Sequence, residues 1–310
     1  MATSPQTFNG GRYNMIRLGI FVASLLLLPL LGLWLSGSEW SALAVDHSGS
    51  GDNIPAALLT TVMLVGYIFL TNHLIKLYTG NNPLNVQRKF YFAVSAASAA
   101  LGWLLVYLNY FVTSWIPIQG NWILAALLYT PIFALLAPAI LSTRALIASF
   151  NGLLKSLAKG VVIPNFSAEK TTIILVPLAA LGLLGGAALP DQLFALLWLA
   201  PLLLLVALQL LWNESTIFTG LKSGDWGRII CVIFSGIIVC NLALMAYQSN
   251  GGSVTLNLSH SFYAQLGYAV FGLLCLQLGD VVAENWRGKK RTELFQQKKK
   301  FPIPIVVKKE

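Results

Sequence analysis

Apolar residues along this chain come in runs of about twenty, parted by short stretches where Gly, Pro, Asn and charged residues gather. A helix that crosses a bilayer needs roughly 20 consecutive apolar residues. The runs at 15–36, 55–76, 90–112, 121–142, 171–189, 192–212, 227–248 and 260–284 meet that length. The pattern therefore predicts an all-α, polytopic integral membrane bundle of about eight helices, forming one transmembrane domain over residues 15–285. A polar N-terminal segment, 1–14, precedes it, and a basic tail, 286–310, follows.

The longest polar connection departs from this simple alternation. Within "ALIASFNGLLKSLAKG", Leu146, Ile147, Phe150, Leu153, Leu154 and Leu157 recur at helical spacing, and Ser149, Asn151, Lys155 and Lys159 take the other face. This predicts an amphipathic segment over 143–160 that lies in the interface or prolongs the fourth helix. Pro131, Pro138, Pro177 and Pro201 fall inside apolar runs and predict kinks.

Composition agrees with the pattern: 56% of residues are hydrophobic and 10% charged, against about 25% charged in soluble domains. The charge adds topology. With the N-terminus inside, the 20 Lys and Arg residues all fall on one side, while Glu39, Asp46, Asp52 and Asp191 lie on the other. Positive charge marks the cytoplasmic side, so both termini are expected there. The net charge of +9 then reads as topology and attraction to anionic lipid head groups, not as a nucleic-acid surface. The expected partners are the bilayer and other membrane proteins, and the expected location is a bacterial inner membrane. "SALAV", residues 41–45, resembles a signal-peptidase site, but the apolar run before it is long for a signal and is expected to stay as a helix.

Motifs for chemistry are scarce. The sequence holds no HExxH, GxSxG or phosphate-binding GxxxxGK[ST], and His47, His73 and His260 belong to separate connections. No cofactor or metal is implied. A Mg²⁺-dependent diphosphate mechanism needs clustered carboxylates, and the connection after the sixth run offers only Glu214 and Asp225, while that after the second offers none. Cys231, Cys240 and Cys275 fall inside apolar runs and read as core residues.

The site candidates are polar groups at membrane depth. In "LQLGDVVAENWRGKKR", Gln277, Asp280, Glu284 and Arg287 are spaced three, four and three apart, which aligns them on one helix face. A carboxylate near hydrocarbon is costly unless paired or wet. Asp280 and Glu284, with Arg144 or Lys76 opposite, are therefore candidates for the inner gate or proton-coupled site of a transport path, and Gln277, Asn72 and His73 are candidates beside them. The reading the topology favours ends the helix near Val282 and leaves the acids solvated. Asn109, Gln209 and Asn241 are expected to hydrogen-bond between helices. The function these features favour is transport or flipping of a small, amphipathic or lipid-linked molecule. One alternative is a membrane enzyme acting on a lipid-linked substrate through Asn72, His73, Glu214, Asp225 and Arg228. Another is a non-catalytic subunit or assembly factor.

Overall fold

A computed structural model describes residues 53–115, 122–163, 168–212, 214–258 and 261–287. The run at 15–36, the SALAV stretch, His47, His260 and the tail from residue 288 lie outside the described residues, as do the side chains of Glu284 and Arg287. In chain order the helices are α1 (Asn53–Thr79), the short α2 (Pro83–Val86), α3 (Arg88–Val112), α4 (Trp122–Ala148) and the short α5 (Asn151–Leu157). They continue with α6 (Ala168–Ala188), α7 (Pro190–Leu211), α8 (Gly227–Ser249) and α9 (Ser261–Arg287).

Seven of these, all but α2 and α5, are long and apolar enough to cross a membrane. Among the described residues the protein is thus an all-α, multi-pass bundle, and each long helix lies within a few residues of its expected run except α4, which continues further.

Helix α4 occupies the middle, packed against α1, α3, α8 and α9, whereas α6 packs mainly on α7. The core is apolar and joins the helices through Val94, Leu101, Ile140, Val206, Val232 and Leu274. The outer faces are apolar too: Val62, Phe69, Phe92, Leu127, Ile173 and Leu184 are exposed. A helix hydrophobic all round suits hydrocarbon. With lipid as apolar as leucine, close packing and hydrogen bonds take over the work of association. Gly236 of α8 and Gly272 of α9 show the close packing, since a Cβ on Gly236 would lie 2.8 Å from the Gly272 Cα.

Helix α4, with Pro131 and Pro138 inside it, is held by its neighbour. Pro138 cannot donate to the carbonyl one turn back. Just beside it, Ser98 of α3 donates to the Phe133 carbonyl at 2.5 Å and accepts from the Ala137 N–H at 3.2 Å. A side chain inserted into the helical ladder in this way is a recognised cause of bending. Pro177 precedes a π-helical turn, Leu181–Gly185, in α6.

The stretch expected as one amphipathic segment over 143–160 is divided. Residues up to Ala148 finish α4, the chain turns at Ser149 and Phe150, and α5 begins at Asn151. Leu154 and Leu157 of α5 pack against the cluster of Ile147, Cys231 and Ile238. This apolar side is turned toward protein because the first turns of α8 supply a surface for it.

Candidate functional site

By helix alternation, Lys76, Arg88, Arg144, Lys159, Lys170, Lys222 and Arg228 all belong to one end of the bundle, here termed the basic end. Two connections meet there. The Gly160 N–H donates to the Gly224 carbonyl at 3.0 Å, Ile163 N–H to Leu221 at 3.1 Å, and Trp226 N–H to Leu157 at 3.1 Å. The Trp226 indole N–H adds a bond to the Val161 carbonyl at 2.8 Å. Gly224 has φ +75° and a Cβ there would lie 2.6 Å from the Gly160 oxygen. Only glycine combines that backbone with that approach. At Gly160, a Cβ would run into the Trp226 ring.

This clasp borders a cavity of about 220 Å³. Arg144, Asp225 and Arg228 give it charged walls, and Ala148, Leu154 and Cys231 give it apolar ones. The volume falls below the roughly 300–1,000 Å³ typical of drug-sized sites. It suits a head group or a small polar molecule.

Arg228, in the first turn of α8, reaches Asp280 of α9. Its Nη2 donates to both carboxylate oxygens, each at 2.9 Å. The side chains are 19% and 13% exposed, so the pair is largely withdrawn from water. Removing one partner of such a pair is strongly destabilising, by about 3–5 kcal/mol. Asp225 sits beside it, its Oδ1 accepting the Gly227 N–H at 2.9 Å.

Asn72 is engaged elsewhere at the same end. Its fully buried amide donates to the Ile68 carbonyl at 2.8 Å and to Ser142 Oγ at 2.9 Å. Its oxygen accepts the Leu84 N–H at 3.2 Å and, more weakly, the Tyr91 hydroxyl at 3.5 Å. Nearby, Tyr67 donates to Thr143 at 2.7 Å, while Thr143 donates to the Ala139 carbonyl at 2.8 Å. These bonds tie α1, α3 and α4 together and hold the connection between α1 and α3 onto the bundle.

Other amides of the spanning helices are also hydrogen-bonded, most of them between elements. Gln277 donates to Gln209 across α9 and α7 and accepts the Ile217 N–H at 3.4 Å. Asn241 and Gln265 exchange bonds at 2.7 and 3.1 Å between α8 and α9. Asn109 serves its own helix end, donating to the Trp115 carbonyl at 3.0 Å and accepting its N–H at 3.2 Å.

The expected site residues therefore divide. Arg144, Asp225 and Arg228 line one cavity, and Asp280 adjoins it through Arg228. His73 and Lys76 are exposed near the end of α1. Glu214 is half-buried after α7, its N–H donating to the Gln209 carbonyl at 2.8 Å. Glu284 lies on α9 beyond the described side chains. The sequence reading overlooked Ser142 and Thr143, although the polar run Ser142-Thr143-Arg144 closing an apolar helix is a visible signal. Among the described residues no group of three His, Cys, Asp or Glu side chains could hold a metal ion. Comparison with protein-family models, with curated proteins and with solved structures returns no match.

Proposed function

We propose that this membrane protein handles an amphipathic molecule, admitting its polar head at the basic end, read as the cytoplasmic side, and moving it between leaflets. The cavity beside the clasp carries this reading, because it joins two guanidiniums and a carboxylate to an apolar wall at the end of the spanning helices. Such a site offers a polar head its hydrogen bonds while keeping apolar chains against apolar surface. The enzymatic reading draws less support. Of its five residues only Asp225 and Arg228 line the cavity, and a surface His73 brings no general base to it.

Purified protein in liposomes carrying a trace of fluorescent phospholipid tests the proposal. A membrane-impermeant reductant should bleach beyond the outer-leaflet pool, and Asp280→Asn should slow that second phase at least tenfold. Bleaching no faster than in protein-free liposomes would sink the reading.

A further inference from the structure

The amphipathic stretch after α4 turns its leucines inward and leaves a different apolar run in the open. Leu154 and Leu157 of α5 pack on the protein, and the exposed residues described on that turn of chain, Gly152, Ser156 and Ala158, are small. Val161, Val162 and Ile163 follow, and they are 76%, 59% and 38% exposed. Scattered exposed apolar residues need no account, whereas a contiguous group points to a contact surface.

The clasp fixes the level of this run along the bundle. Helix α8 has 23 residues, about 34 Å at 1.5 Å per residue, against a hydrocarbon core of about 30 Å. Trp226, the residue before its first turn, therefore stands at the edge of the hydrocarbon, where tryptophan is enriched. Its indole N–H holds the Val161 carbonyl at 2.8 Å. Helix α6 gives the same level from the other side, since Ala168–Ala188 is 21 residues long, about 31 Å, and starts shortly after Ile163. Val161–Ile163 is thus pinned at the boundary instead of being carried out into water.

The chemistry of the run suits that level. Backbone polar groups beside hydrocarbon must be paired within the protein, and here the Gly160 N–H, the Val161 carbonyl and the Ile163 N–H are bonded to Gly224, Trp226 and Leu221. Exposed lysines flank the run: Lys159 precedes it, and Lys222 follows Leu221 on the other arm of the clasp. Such side chains lay their stems on apolar surface and carry the ammonium to lipid phosphate. We propose that Val161–Ile163 is an interfacial seat whose partner is the bilayer surface, the apolar side chains entering the boundary between head groups and acyl chains and Lys159 and Lys222 meeting lipid phosphate. The seat continues the lipid-facing sides of the spanning helices. Because the same residues close the clasp, seating holds the two connections together. None of this rests on what the cavity binds.

Depth-dependent quenching in liposomes tests the seat. The full chain with Val162→Cys, and with Cys231, Cys240 and Cys275 replaced by alanine, carries an environment-sensitive fluorophore on the introduced thiol. An interfacial segment sits about 5–10 Å into the boundary, so lipids with a nitroxide near the top of the acyl chain should quench it more strongly than lipids with one near the chain end, and more strongly than aqueous iodide. Quenching chiefly by iodide would put the run in water and overturn the proposal. Resistance to both quenchers would mean that protein covers it, another part of this chain or a second copy, and would overturn it equally. A second measurement keeps the native cysteines: in lipid nanodiscs, Val161→Asp with Val162→Asp should speed hydrogen exchange at the Ile163 amide about tenfold by opening the clasp locally, while amides in the middle of α3 keep their rates. Unchanged exchange at Ile163 would overturn the link between seat and clasp. Neither readout involves lipid movement between leaflets, so failure here is distinguishable from failure of the transport reading.

Discussion

Asn72 and Arg228 sit at the same end of one bundle, yet their surroundings are opposite in kind. Around Asn72 everything is neutral: both amide hydrogens and the carbonyl oxygen have partners, drawn from α1, α3, α4 and the connection between α1 and α3. Around Arg228 charge enters: the guanidinium shares one nitrogen with Asp280, has a buried Nε that meets no acceptor among the described residues, and borders a cavity with both charged and apolar walls. A closed polar knot of the first kind stabilises one helix arrangement. A charged group with donors to spare beside a cavity is suited to meeting something that comes and goes. Polarity at membrane depth is thus too coarse a marker of function, and satisfaction of the donors is the finer one.

Substitutions at the two places should separate these roles. The largest effect is expected at Arg228→Ala, which leaves Asp280 largely buried without its partner and should lower stability by about 3–5 kcal/mol. Unfolding in mixed micelles should show the Arg228→Ala, Asp280→Ala double variant to be less destabilised than the sum of the singles. Additive losses would mean that the two side chains do not act as a pair.

A smaller loss is expected from Gly224→Val, which places a branched side chain at φ +75° and against the Gly160 oxygen. Strain of this sort costs of order 1–3 kcal/mol, and its mark should be weakened lipid binding, since the clasp borders the cavity. Asn72→Ala should cost a similar or smaller amount, about 1–3 kcal/mol, by leaving buried partners unsatisfied. It should leave the ranking of bound lipids as it is in the unaltered protein. A changed ranking would erase the distinction between knot and site. His73→Ala, at an exposed position, is the matched control and should stay within about 0.5 kcal/mol.

The membrane fold was legible in the sequence because its cause is local: twenty apolar residues commit a segment to the bilayer whatever lies beside it. Asp280 was legible for the same reason, as an acid at the edge of an apolar run. Its partner was not. Arg228 lies 52 positions away on another helix, and the sequence reading grouped it with the loop residues Glu214 and Asp225, looking instead to Arg144 or Lys76. Depth and helix face follow from the pattern of one segment, but adjacency depends on which helices touch. The same gap hid the Asn72 knot: Asn72 was read with its helix neighbours His73 and Lys76, whereas its bonds run to Ser142, Leu84 and Tyr91. The turn after Ser149 was likewise invisible, because the apolar spacing continues smoothly from Leu146 to Leu157 across it.

The clasp between Gly160 and Gly224 also sets an order of events during synthesis. One wall of the cavity, from Arg144 to Ala158, is made early, and the other, from Asp225 to Cys231, only after α6 and α7 have been threaded between them. A nascent chain arrested before residue 224 can place every helix through α7 in the bilayer and still leave Arg144 facing a surface not yet synthesised. Binding competence should therefore arrive late and abruptly along the chain, and arrested chains of increasing length would reveal it as a step between α7 and α9.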